Sequence, residues 1–275
     1  MLESPAPPRL TLSILIPCFN EEATIDRTLD AVQALGRHLE ASGIVLEMVT
    51  VDDASRDRTF ERLSARASQS TVPFVVQRHA ENQGKGAAIQ TARASASGDI
   101  LVIQDADLEY DPTDIPRLIS PILDGKADAV LGSRFLGGGE HRVLYFWHRL
   151  GNGGLTLLSN MFTNLNVTDM ETGYKAFTRD AFRIMHLTNR RFGIEPEIVA
   201  RLAQMGARVY EVPISYHGRT YEEGKKITWR DGVAALGHIL RARFSASRQP
   251  KLVRPLHPAL AASDATPAAP SAKAS

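Results

Sequence analysis

The chain is poor in the residues and runs that would place it in several large protein classes. Its single cysteine, Cys18, excludes a disulfide framework and a multi-cysteine zinc cluster, and fits a reducing cytoplasm. A formal charge of +1 over 275 residues lacks the basic excess of a general nucleic-acid binder, so no nucleic-acid partner is expected. Met1 to Arg9 hold Glu3 and three prolines in place of a basic start before an apolar run, so the sequence predicts a protein that is not exported. The longest uncharged tract, 150–168, has 19 residues, but four asparagines and three glycines argue against a spanning helix. No glycine-rich turn follows the first apolar run, which counts against a metal-dependent nucleotidyltransferase. A Walker motif fails at Asn82-Gln-Gly-Lys-Gly86: His79 stands where its first glycine belongs, and Gly86 where Ser or Thr belongs.

A 43% hydrophobic content is enough to build a full core, and the apolar residues are arranged as alternating strands and helices. Leu12 to Ile16 is an apolar run ending at Pro17. Ile25, Leu29, Val32, Leu35 and Leu39 then recur at helical spacing, with Asn20 as a cap. A second strand, Val45 to Val51, stops at Asp52-Asp53, and Ser55 or Asp57 can cap a helix carrying Phe60, Leu63 and Ala67. The alternation continues with strands at Phe74–Gln77, Ile100–Gln104 and Ala129–Leu131, and helices at Gly86–Ser95 and Ile115–Leu123. Glu211 to Tyr216 reads as a final strand. This order predicts an α/β fold with a mostly parallel central sheet and ligands at the carboxyl ends of its strands. Residues 1–10 read as a flexible N-terminus, 11–244 as one domain, and 245–275, rich in Ala, Pro and Ser, as a disordered tail.

The most informative tract is Asp99-Ile-Leu-Val-Ile-Gln-Asp-Ala-Asp-Leu-Glu109. Strand periodicity puts Asp105 and Asp107 on one side, and Glu109 follows if the extended conformation persists. Hard carboxylate oxygens at that spacing suit Mg²⁺ or Mn²⁺, useful where a pyrophosphate is held and released. A solvated acidic turn is the other reading of the same residues.

Five segments fall at predicted strand ends: Ile16-Pro-Cys-Phe-Asn-Glu21, Val51-Asp-Asp-Ala-Ser-Arg-Asp-Arg-Thr59, Asn82-Gln-Gly-Lys-Gly86, Asp105-Ala-Asp107 and Gly132-Ser-Arg134. In this order they resemble the non-processive family-two glycosyltransferases of the GT-A fold, most closely the polyprenyl-phosphate sugar transferases such as dolichyl-phosphate mannose or glucose synthases. The resemblance spans about Thr11 to Phe244, and Asp169-Met-Glu-Thr-Gly-Tyr-Lys175 and Phe192-Gly-Ile-Glu-Pro-Glu197 extend it.

The resemblance implies a Rossmann-like nucleotide-sugar fold with Pro17, Phe19, Asn20, Glu21, Asp52 and Asp53 at the nucleotide. Lys85 would face its anionic part, and Asp105 and Ala106 would line the donor site. Asp107, assisted by Asp105 and Glu109, would hold Mg²⁺ or Mn²⁺. Arg134, Arg219, Lys225 and Lys226 would hold anionic oxygens, and Glu197 would line the sugar and acceptor side. Ordinary structural roles compete at several positions. Asn20 and Glu21 suit a helix start, Gln83 to Gly86 a solvated turn, and Glu195 and Glu197 a first helical turn around Pro196.

The implied reaction is inverting transfer of glucose or mannose from a UDP- or GDP-sugar to a polyprenyl phosphate. A phosphate monoester with a second pKa of about 6 is largely ionised at neutral pH, so it needs no strong base. A saccharide or other hydroxyl acceptor would need one, and a soluble acceptor is the alternative; a non-catalytic sugar-nucleotide sensor is a third. From His217 to Lys251 eight Arg or Lys face three Asp or Glu, a surplus suited to phosphates, to anionic lipid headgroups or to a solvated helix. Val143-Leu-Tyr-Phe-Trp147, followed by His148 and Arg149, suits either a membrane interface or a core helix. The expected location is the cytoplasm, with peripheral contact to the membrane face.

Overall fold

Leu12, Ile14 and Ile16 pack into one apolar layer while Leu15 between them packs into another, as the two-residue period of a doubly covered strand requires. They belong to β1 (Leu10–Cys18), near the middle of the sheet. The computed structural model describes residues 10–137, 142–143, 145–218, 237 and 249–252. Its further strands are β2 (Ile44–Asp52), β3 (Phe74–Arg78), β4 (Ile100–Ile103), β5 (Ala129–Ser133), β6 (Lys175–Thr178) and β7 (Val209–Pro213). They form one sheet in the order β3-β2-β1-β4-β6-β5-β7.

The pairs β1–β2, β2–β3, β1–β4 and β5–β7 are parallel, whereas β6 runs antiparallel to both β4 and β5. The mostly parallel expectation therefore holds, with β6 as an addition. Only four residues long and opening on a lysine, β6 carries no alternation that would mark it as a strand. The strand order reverses between β1 and β4, the point at which open α/β sheets generally bind ligands beyond their strand ends.

Among the described residues seven α-helices cover the sheet: α1 (Ile25–Glu40), α2 (Thr59–Ser68), α3 (Lys85–Ser95), α4 (Ile115–Leu123), α5 (Phe146–Thr163), α6 (Arg179–Ile184) and α7 (Ile194–Met205). The apolar stripes of α1 and α4 fill one layer with Leu63 of α2. Those of α3, α6 and α7 fill the other, and α5 packs on α7 through a smaller cluster around Val199 and Met170.

Three local expectations change. Asn20 does not cap α1: it has a left-handed φ of 53°, and the helix starts after Thr24. Pro17 and Cys18 lie inside β1, in register with Val51 and Asp52, and Leu10 already pairs with Ile44. Residues 249–252, expected within a disordered tail, are tied to the domain: Gln249 Oε1 accepts from His186 N over 2.9 Å and Leu252 N donates to Met205 O over 3.3 Å. Among the described residues no helix is long and apolar enough to cross a membrane.

Candidate active site

The turns after the neighbouring strands β1 and β2 are stitched together. Asn20 N donates to Ser55 Oγ and Glu21 N to Thr59 Oγ1, each over 2.9 Å, while Arg56 N donates to Asn20 Oδ1 over 2.8 Å. Left-handed backbone at Asn20 and Ala54 gives these turns their shape. Asp52 and Asp53 are buried and engaged. Asp52 pairs with Arg78 Nε at 3.1 Å, and Asp53 accepts from Gln83 N at 2.9 Å, Gly84 N at 2.7 Å and the His79 ring at 2.6 Å. His79, a residue that pattern reading passed over, thus links β3 to the start of α3. Pro17, Phe19 and Glu21 are half-buried around the same turn.

The acidic tract departs from its expected geometry. β4 ends at Ile103, and the chain then turns, with Leu108 at a left-handed φ of 64°, so strand periodicity does not reach Asp105, Asp107 and Glu109. Glu109 is drawn to Tyr216, whose hydroxyl donates to Oε2 over 2.7 Å. Asp105 instead meets Lys85, with Nζ 2.8 Å from Oδ1. The three carboxylates therefore do not converge, and among the described residues no three acidic, His or Cys side chains form a metal-binding group. Asp107 stays half-buried, its Oδ1 accepting from Glu109 N over 3.1 Å. Ala106 is buried, its carbonyl accepting from Thr28 Oγ1 over 3.0 Å. Gly173 completes this loop's surroundings, because a Cβ there would collide with Asp105 Oδ2.

Lys85 opens α3 and bridges two acids, since Nζ also lies 3.0 Å from Glu195 Oε1. Burial alone would lower the Lys85 amine, but the Asp105 and Glu195 charges overcome it and hold the group well above its ordinary range. Glu195 stands in the Phe192–Glu197 segment, which the resemblance puts on the sugar and acceptor side and which also suits a first helical turn; nothing in that segment foretells its pairing with Lys85. Glu197, two residues on, has a different place: its carboxylate is filled by donors from Thr188, Asn189 and Arg201 inside the protein.

Arg134 is held by buried Asp169, with Nε and Nη2 each 2.7 Å from its oxygens, and its guanidinium lies 5.1 Å from the Tyr216 ring centroid. Tyr110, Tyr174 and Tyr216 form an aromatic floor, the first two stacked at 5.1 Å and the first and third tilted at 5.3 Å. Beside it, burial and the Glu195 charge push the Glu171 carboxyl up to about 7, and its Oε1 has no hydrogen-bond partner. Burial pushes the Lys175 amine down to about 8, although carbonyls of Met170 and Thr172 accept from it. Both residues fall in the Asp169–Lys175 segment that extends the resemblance, but only their burial singles out these two side chains within it.

The fold thus brings Lys85, Asp105, Asp107, Glu195 and Gly173 to the carboxyl end of the sheet beside Arg134. Arg219, Lys225 and Lys226 lie outside the described residues. Gly218, just before them, accepts from Arg142 Nη1 over 2.8 Å, and His217 N donates to Glu109 O over 2.9 Å.

The chain is similar to known proteins over most of its length. The profile of Glycosyl transferase family 2 matches residues 13–184. Undecaprenyl-phosphate mannosyltransferase of Micrococcus luteus is 30% identical over 246 residues, covering 84% of this chain and 97% of that protein. Dolichol-phosphate mannosyltransferase of Pyrococcus furiosus is 29% identical over 218 residues, covering 78% of this chain; the chain spans only 59% of that longer protein. Glucosyl-3-phosphoglycerate synthase from Mycobacterium tuberculosis, solved with Mn²⁺, uridine diphosphate and phosphoglyceric acid, superposes with a TM-score of 0.60 at 22% identity. That alignment covers 86% of this chain and 79% of the other, and establishes a shared fold.

Proposed function

The chain belongs to glycosyl transferase family 2, and from that membership we propose that it transfers a hexose from a UDP- or GDP-sugar to a polyprenyl phosphate with inversion. The observation that carries the reading is half-buried Asp107 beside the Lys85–Asp105 pair at the sheet's switch point. The acceptor is inferred from the names of the relatives, of which the Micrococcus luteus enzyme matches over nearly its whole length.

A divalent metal fits the residues present. Mg²⁺ is bound by one or two carboxylates completed by substrate phosphates, so a half-buried Asp107 suffices where a three-carboxylate cage is missing. Asp107 would hold the ion, which when bound would neutralise charge on the departing diphosphate. Lys85 fixes Asp105 and keeps a positive charge near the anionic donor. We assign Arg219, Lys225 and Lys226 to the same electrostatic task, reducing repulsion between the donor diphosphate and the acceptor phosphate. Arg134 is already committed to Asp169, so its contribution is to set the wall of the site around Tyr216.

Peripheral membrane contact belongs to the same reading. Phe146, Trp147, Leu150, Leu157 and Met161 are exposed on α5, and Leu150, Gly154, Leu157 and Met161 share one helical face. No acidic residue occurs from 142 to 168, while Arg142, His148 and Arg149 cluster at one end, a composition suited to an anionic bilayer surface.

Transfer to a hydroxyl acceptor is the second reading, favoured by Glu171, whose carboxyl near neutrality suits a general base. Supplying each nucleotide sugar with either a polyprenyl phosphate or a soluble hydroxyl acceptor distinguishes the two. Glu171→Gln should leave the first transfer intact and abolish the second.

A further inference from the structure

Glu197 stands on the first turn of α7 with 1% exposure, yet its carboxylate serves the chain before the helix. Thr188 and Asn189 donate to it through their backbone N–H groups and through Thr188 Oγ1 and Asn189 Nδ2, over 2.8–3.1 Å. Arg201 Nη2 adds a further donor at 3.0 Å. Burial opposes the charge, but these hydrogen bonds hold the carboxyl below its ordinary range.

The other side of the same segment is pressed onto α3. Ala87 N donates to Arg190 O over 2.9 Å, and Gln90 Nε2 donates to Asn189 O over 3.2 Å. Two glycines permit this approach. A Cβ on Gly84 would lie 2.6 Å from Arg190 O, and one on Gly86 would collide with Asn189 O. Lys85 sits between those glycines and reaches both Asp105 and Glu195. The contacts close a ring: Glu197 to the 188–190 segment, that segment to the first turn of α3, Lys85 to Glu195, and Glu195 back along α7 to Glu197.

We propose that Glu197 is a positioning residue, holding 188–190 against the first turn of α3 so that Lys85 stays on Asp105. Its catalytic meaning rests on the proposed sugar transfer. The segment 188–190 belongs to no strand, so one ionised carboxylate with many donors supplies the order that a strand ladder would otherwise give. When those donors are lost, the 188–190 segment loosens, the Ala87–Arg190 bond weakens, and Lys85 exchanges Asp105 for water.

Competitive acylation of lysine amines with acetic anhydride, read by mass spectrometry, tests this without any assumption about substrate. Asn189→Ala leaves the buried Glu197–Arg201 pair intact, and Glu197→Gln removes the charge. In both, Lys85 labelling should rise about tenfold relative to exposed Lys126, while buried Lys175 stays protected. Unchanged Lys85 labelling in both variants would overturn the proposal, as would Lys175 becoming reactive in step with Lys85, which marks a purely structural role. In transfer assays Glu197→Gln should lower kcat, and the double variant with Lys85→Met should be no slower than Lys85→Met alone. Additive losses would contradict positioning through Lys85. A wild-type protein that transfers no sugar from any donor would defeat the functional reading and leave the labelling result to decide the positioning.

Discussion

The Tyr216 hydroxyl reaches Glu109 Oε2 over 2.7 Å, joining the end of the last strand's connection to the loop that carries the acidic motif. This bond occupies one oxygen of the motif's third carboxylate and draws it toward Tyr216. Glu109→Gln should therefore keep metal-dependent transfer within about fivefold of wild type, whereas Asp107→Asn should lose about 100-fold or more, several kcal/mol of charge stabilisation. Steady-state rates at fixed Mn²⁺, with melting temperatures to confirm folding, check the pair. Equal losses in both variants would restore Glu109 as a ligand.

Gly173→Ala is expected to be costly for a fold-level reason. Its methyl group would collide with Asp105 Oδ2 and approach Tyr110 Cε2 to 3.1 Å, so the loop must shift. Overpacking of this kind costs about 1–3 kcal/mol. Urea denaturation should show that loss, and nucleotide-sugar turnover should fall with it. A variant as stable and as active as wild type would show that the loop is slack.

Stability should also carry a pH signature. Burial and the Glu195 charge raise the folded-state Glu171 carboxyl to about 7, above its ordinary value in the unfolded chain. Between those two values the folded state binds the extra proton, so this group's contribution is fully present in acid and is lost as pH rises through about 7. Glu171→Gln should remove that decline. The difference in unfolding free energy between variant and wild type, followed from pH 5 to pH 8, should shift in favour of the variant as pH rises. A flat difference would mean that Glu171 is solvated.

The apolar face of α5 gives a binding prediction. Trp147 is 75% exposed and Met161 73% exposed, and no acid interrupts 142–168. Vesicles containing anionic lipid should carry the protein upward in flotation, more at low salt than at high. Trp147→Glu with Leu157→Glu should abolish this without lowering the melting temperature, since both side chains are solvent-exposed.

Much of the fold was legible because its signals are local. β1, β2 and β4 are apolar runs bounded by turns, and α1 and α4 keep apolar faces at helical spacing, so periodicity finds them. β6 escaped because four residues beginning with a buried lysine have no period to read. The site divides in the same way. Asp105, Asp107 and Lys85 stand in short motifs beside strand ends, and these motifs pointed to them. Glu195 and Gly173 also stand in segments that carry the resemblance, but their contacts with Lys85 and Asp105 are made across the fold, and no local pattern encodes those pairings. The convergence expected for Asp105, Asp107 and Glu109 assumed an extended backbone, and the left-handed turn at Leu108 ends that assumption.

One assay bears most directly on the proposed activity. Purified protein is incubated with radiolabelled UDP-glucose, GDP-mannose or related donors, with Mn²⁺ or with chelator, and with a polyprenyl phosphate, 3-phosphoglycerate or a free saccharide as acceptor. The account predicts label in the lipid phosphate fraction, dependent on metal and lost in Asp107→Asn. Label appearing only in a soluble acceptor, or metal-independent transfer undiminished in Asp107→Asn, would contradict it.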